Sequence, residues 1–169
     1  MHRFDRGLRP LVVAAVALAL SACGGGSTGA SSAPSASSTA SAPAGGVRIS
    51  STTIAGLGSV LVDAQGRTLY IFEPDAHAKV TCVADCAKIW PPAFLSAGQK
   101  ASATGDVKQS MLGSAADPDG GDVITYGGWP LYTYVGDSSA GQHNGQALNL
   151  NGGLWYVISP SGTVVKTKP

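Results

Sequence analysis

Two tyrosines, each followed five residues later by an aspartate, are the groups in this chain best suited to chemistry. Tyr70 leads through Phe72 to Asp75, and Tyr132 leads through Tyr134 to Asp137. Phenol and carboxylate groups from both sets can hold a polar ligand or an oxygen-preferring metal. His77 lies two residues after Asp75, and His143 lies six after Asp137. Were the two sets to converge, two histidines and two carboxylates would suit zinc or copper. The structural alternative is plainer. Aromatic side chains on strands usually pack against each other, and an aspartate in a turn usually accepts from nearby backbone N–H groups. Burial and mutual hydrogen bonding of Tyr70, Tyr132, Asp75 and Asp137 would favour that alternative. No G-x-S-x-G elbow and no P-loop accompanies these residues, so no catalytic motif and no cofactor are expected.

The elements that must carry these side chains read as strands. Residues 59–62, a turn at Asp63-Ala64-Gln65-Gly66, and residues 68–72 read as a hairpin. Asp117-Pro118-Asp119-Gly120-Gly121 is a strong turn. Residues 122–126 and 131–135 flank Gly127-Gly128 as a second hairpin, and residues 154–158 and 163–165 flank Ser159-Pro160-Ser161-Gly162 as a third. One short helix fits residues 85–90, with Asp85 as its cap and Pro91-Pro92 as its stop. Residues 96–109 read as a loop, and 111–113 as the opening of a strand. The fold class is all-β, with two small related hairpin or meander repeats packed as one domain.

The repetition is explicit. Gly66, Leu69, Tyr70, Phe72 and Asp75 align with Gly128, Leu131, Tyr132, Tyr134 and Asp137. Residues two apart on a strand share a face. Tyr70 with Phe72, and Tyr132 with Tyr134, therefore form aromatic pairs. Leu69 with Ile71, and Leu131 with Val135, take the opposite face. Apolar residues on both faces call for strands covered on both sides, or for one face in the core and one in a groove.

Ahead of this domain the chain has a different character. Arg3, Arg6 and Arg9 precede an apolar run at residues 11–20, and Leu20-Ser21-Ala22-Cys23 follows. This is the layout of a secretory signal. The ten-residue run is too short for a membrane span, which needs about 20. Cysteine directly after Leu-Ser-Ala resembles a bacterial lipobox. The resemblance implies a signal peptide at 1–22 and a lipidated Cys23 at the mature N-terminus. Residues 24–46 contain only Gly, Ser, Ala, Thr and Pro. Such a stretch buries too little to order itself and reads as a tether reaching about 25 Å. Residues 47–169 are then one domain, with repeat 1 at about 57–95 and repeat 2 at about 110–162.

Three cysteines are an odd number. With Cys23 lipidated, Cys82 and Cys86 remain as a pair in an oxidising compartment, where a disulfide is the default. A redox-active or metal-binding pair is the alternative. Side chains four apart on a regular helix are too far for a bridge, which puts Cys82 in the loop before the helix.

Taken together, these segments resemble bacterial lipoproteins built from a secreted repeat of unknown function, marked by Tyr-x-aromatic-x-x-Asp. The resemblance rests on Tyr70 to Asp75, on Cys82, Cys86-Ala87 and Trp90-Pro91-Pro92, and on Tyr126 to Tyr134 with Asp137. Gly145-Gln146, Gly152-Gly153 and Leu154-Trp155-Tyr156-Val157 continue it. It implies an extracytoplasmic lipoprotein with two repeats and no assigned activity.

Charge gives no sign of a polyanion partner. Beyond Cys23, eight Lys and Arg meet nine Asp and Glu, with no basic stripe, so nucleic acid is not expected. The expected partners are a membrane, through the lipid, and an envelope protein, wall polymer or small ligand. Two function classes follow: a tethered binding or structural module of the envelope, or an extracytoplasmic redox or metal-binding protein.

Overall fold

The computed structural model describes residues 47–75 and 78–168. The expected signal, Cys23, the tether and His77 lie outside the described residues. Strand β1 (Arg48–Ile54) turns back into β2 (Gly58–Val62), and β3 (Tyr70–Phe72) runs into a 3-10 turn at Glu73–Asp75. Helix α1 (Asp85–Ile89) precedes the two-residue strands β4 (Phe94–Leu95) and β5 (Ser102–Ala103). Strands β6 (Leu112–Ala116), β7 (Asp122–Tyr126) and β8 (Trp129–Pro130) follow, then β9 (Leu148–Leu150), β10 (Gly153–Ile158) and β11 (Val164–Val165). The all-β class with one short helix is what the strand-rich sequence predicts.

Three sheets form, ordered β2-β1-β5, β11-β10-β3 with β9 on β10, and β4-β7-β6 with β8 on β7. The turn chemistry works where it was expected. Gly127 and Gly128 take φ of 57° and 85° and set Tyr126 opposite Trp129. Asp117 accepts from Gly120 N–H through its backbone, and its side chain accepts from Asp119 N–H. Ser159 and Gly162 close the turn that pairs Ile158 with Val164.

The first hairpin is only partial. Asp63 does close a turn to Arg67, and Val62 bridges Thr68. Strand β2 nonetheless spends its length on β1, in register from Ser50–Val62 to Ile54–Gly58. Strand β1 is unanticipated because Arg48-Ile49-Ser50-Ser51-Thr52-Thr53-Ile54 is largely polar, with just Ile49 and Ile54 buried. Residues 96–109, read as a loop, contain β5, which pairs in parallel with the start of β1.

Helix α1 is where the Cys–Pro spacing puts it, but Asp85 does not cap it. The capping position is Ala84, whose side chain offers no hydrogen bond. Asp85 instead pairs with Lys88 one turn on, at 2.7 Å. The Cys82–Cys86 disulfide is formed, with Cys82 in the loop before the helix and its side chain buried.

Alternation along β3 separates two cores. Leu69 and Ile71 join Ile49, Leu61, Ile124 and Leu131 in one. Tyr70 and Phe72 face the other, with Trp90, Tyr132, Trp155 and Cys82. Both faces of β3 are therefore covered, and its three residues are all buried. Val135, expected on the face of Leu131, is instead 57 % exposed, since the chain is already leaving the sheet there.

Candidate functional site

The two Tyr–Asp sets meet at the centre of the domain, and they meet crosswise. Tyr70 N–H donates to Tyr132 C=O at 2.8 Å, and Tyr132 N–H donates to Tyr70 C=O at 2.9 Å. This reciprocal antiparallel pair puts both phenols on one face. Tyr70 Oη then donates to Asp137 Oδ2 at 2.6 Å, and Tyr132 Oη donates to Asp75 Oδ2. Each repeat thus supplies the hydroxyl that satisfies the other's carboxylate. The remaining oxygen of each carboxylate holds its own repeat's next loop. Asp75 Oδ1 accepts from Thr81 N–H at 2.8 Å and from Thr81 Oγ1 at 2.5 Å. Asp137 Oδ1 accepts from Asn144 N–H at 2.9 Å and from Asn144 Nδ2 at 3.0 Å.

The crossing extends to the neighbouring strands. Strand β10, at the end of repeat 2, pairs with β3 of repeat 1, setting Trp155 opposite Phe72 and Val157 opposite Tyr70. The segment after α1, at the end of repeat 1, pairs with repeat 2: Pro92 bridges Tyr132, and Thr133 N–H donates to Pro91 C=O. That register sets Trp90 across from Tyr134, as Trp155 is set across from Phe72. The two halves are related by a local two-fold, and each lends its closing strand to the other.

The aromatic rings carry the same symmetry. Trp90 and Trp155 stack in parallel, with centroids 3.8 Å apart and planes 2° apart. Tyr134 stacks on Trp90 and Phe72 on Trp155, both at 4.3 Å. Tyr70 stands edge-on to Trp90 at 5.5 Å, and Tyr132 edge-on to Trp155 at 5.3 Å. Such contacts stabilise by about 0.5–1.5 kcal/mol each beyond the area they bury. The packing leaves no room at Gly145, where an added Cβ would lie 2.8 Å from the Trp90 ring and 2.9 Å from the Tyr70 ring.

Burial decides the electrostatics. Tyr70, Tyr132 and Asp75 have no solvent exposure, and Asp137 has 6 %. Burial first, then the hydrogen bond and charge of Asp137, push the Tyr70 phenol far above its usual range. Burial and Asp75 do the same to Tyr132. Burial also pushes the Asp75 carboxyl up, against the lowering pull of its Thr81 and Tyr132 hydrogen bonds.

The structure places Tyr70, Phe72, Asp75, Tyr132, Tyr134 and Asp137 together in one packed cluster, as an interior rather than a groove. Two surface clefts, of about 370 and 400 Å³, contain none of the six. Among the described residues no group of three or more His, Cys, Asp and Glu converges to hold a metal. His143 Nδ1 lies 3.2 Å from Gly141 C=O. Thr81 and Asn144 complete the carboxylate sites and carried no signal in the sequence beyond being polar and close behind each Asp. Gln146 carries no such signal either. It is buried and ties Val157 N–H to the carbonyls of Val165 and Thr167.

The class is therefore an all-β protein of two strand-exchanged repeats, locked by reciprocal Tyr–Asp pairs around a Trp–Trp stack. Residues 51–94 and 113–159 each match the family described as a secreted repeat of unknown function, and the chain belongs to that family. No curated protein and no solved structure matches the chain.

Proposed function

We propose that this secreted-repeat protein is a lipid-tethered module on the outer face of a bacterial membrane, serving the envelope as a structural or binding element. The observation that carries this reading is Leu20-Ser21-Ala22-Cys23, followed by 23 residues without charge or large apolar side chains. Lipid on Cys23 supplies an anchor that no helix among the described residues supplies, since none is long and apolar enough to cross a membrane. The buried, mutually bonded Tyr–Asp sets support a scaffold held rigid from within. An envelope protein, wall polymer or small ligand then meets the outer loops and clefts, not the repeated motif. Mass spectrometry of the mature N-terminal peptide, with fractionation of a Cys23→Ala variant, tests the anchor. A diacylglyceryl mass on Cys23 and release of the variant from membranes are expected. An unmodified Cys23, or a variant that stays with the membrane, overturns the reading.

A further inference from the structure

Trp90 is the odd member of the aromatic cluster. Its Nε1–H is buried without a hydrogen-bond partner among the described residues, whereas Trp155 Nε1 donates to Leu150 C=O at 3.0 Å. An unpaired buried donor is costly and calls for a reason. Its surroundings suggest one. Trp90 is stacked between Trp155 and Tyr134, which is half-buried. Tyr70, whose phenol is hydrogen-bonded to a buried carboxylate, stands edge-on to Trp90 at 5.5 Å and to Tyr134 at 6.5 Å. At the far end of the stack the symmetry breaks: Phe72 stands where the other repeat has Tyr134, and it is 3 % exposed and hard to oxidise. One end of the stack is thus open to solvent through an oxidisable ring, and the other is closed.

We propose that this cluster is a one-electron relay, taking an oxidising equivalent from a diffusible one-electron oxidant at Tyr134 and lodging it on Tyr70 or Tyr132. The oxidant belongs to the class of small inorganic radicals and high-potential metal complexes. It gains one electron from Trp90 through Tyr134; where Tyr134 is itself oxidised, its phenolic proton passes to solvent and is regained as Trp90 re-reduces the ring. Oxidised Trp90 has no acceptor for its indole proton among the described residues, so it stays a strongly oxidising cation and passes the vacancy on. Tyr70 then yields an electron to Trp90 and its phenolic proton to Asp137 Oδ2, along the 2.6 Å hydrogen bond. The net change is balanced: reduced oxidant, neutral tyrosyl radical and protonated Asp137. Through Trp155, Tyr132 and Asp75 offer the mirrored trap. Tyr126 is buried too, but its hydroxyl donates to Pro160 C=O, a far weaker base than a carboxylate, and holds no such trap.

The test is photo-oxidation of the purified full-length protein by ruthenium(III) tris-bipyridine, generated by flash, with freeze-trapped electron paramagnetic resonance. The wild-type protein is expected to give a tyrosyl signal that is lost in the Tyr70→Phe/Tyr132→Phe double variant. Formation of the signal should be slowed by Tyr134→Phe and by exchange into D₂O. A double variant that is folded by circular dichroism and still gives the wild-type signal overturns the proposal. Should that variant not fold, Tyr134→Phe decides, because its ring is partly exposed and its hydroxyl makes no hydrogen bond among the described residues. An unchanged rate of radical formation in Tyr134→Phe then refutes the relay, and a slowed rate supports it.

Discussion

Raising the pH above 10 should unfold this domain with a slope set by Tyr70 and Tyr132. Both phenols are fully buried and donate to carboxylates, so the native state keeps protons that the unfolded chain releases. An unfolded tyrosine titrates near pH 10. Stability from a raised folded pKa is complete below that value and is lost as pH rises past it. Each retained proton lowers unfolding free energy by about 1.4 kcal/mol per pH unit, so the pair removes about 2.7 kcal/mol per unit. By pH 12 the two together withdraw about 5 kcal/mol, comparable with the whole stability of many domains. Urea unfolding followed by tryptophan fluorescence between pH 8 and about 12 measures the slope. Tyr70→Phe should reduce it by about 1.4 kcal/mol per unit, and Tyr70→Phe/Tyr132→Phe should reduce it by twice that. Equal slopes for the wild-type protein and the double variant would refute the burial of these protons.

The crossed pairing can be tested at neutral pH. Tyr70→Phe leaves Asp137 Oδ2 without its donor and should cost roughly 1.5–3 kcal/mol in urea unfolding. Combined with Asp137→Asn it should show a coupling of about 1 kcal/mol or more, and combined with Asp75→Asn a clearly smaller one. The reverse order would assign each tyrosine to its own repeat's aspartate. Reducing Cys82–Cys86, or replacing both by serine, should lower stability by about 2 kcal/mol, the loop being short. A chain divided within residues 96–100 should give two fragments that are each unfolded alone and fold on mixing, seen by near-ultraviolet circular dichroism. Cooperative unfolding of either fragment by itself would refute the strand exchange.

What could be read from the chain in advance was local. Gly127-Gly128 and Asp117 to Gly121 announce their turns because the backbone there needs glycine or an Asp side chain. The Tyr-x-aromatic-x-x-Asp spacing announces itself by repetition. Alternation at Leu69-Tyr70-Ile71-Phe72 announces a strand covered on both faces, as it is. Partnership was not legible. Nothing around Tyr70 indicates that its backbone pairs with Tyr132, its flank with Trp155, or its hydroxyl with Asp137. Those choices are set by long-range packing, which leaves no periodicity. Asp85 has the type and position of a common cap, but here it pairs with Lys88 instead. Strand β1 leaves no apolar pattern in the sequence because its serines and threonines are held by pairing with β2.

The local two-fold makes this chain its own homodimer. The Tyr–Asp hydrogen bonds and the Trp stacks that run from the first repeat to the second are returned by equivalent contacts from the second to the first, the signature of an isologous interface. Two separate copies of one such unit would meet the same partners, but only as their concentration allowed. Joined in one chain, the halves face each other at a fixed high effective concentration, so assembly no longer depends on abundance. Joining also releases them from being identical. One half carries the disulfide and a phenylalanine at position 72, and the other has a tyrosine at 134. A true homodimer would have to make each such change twice.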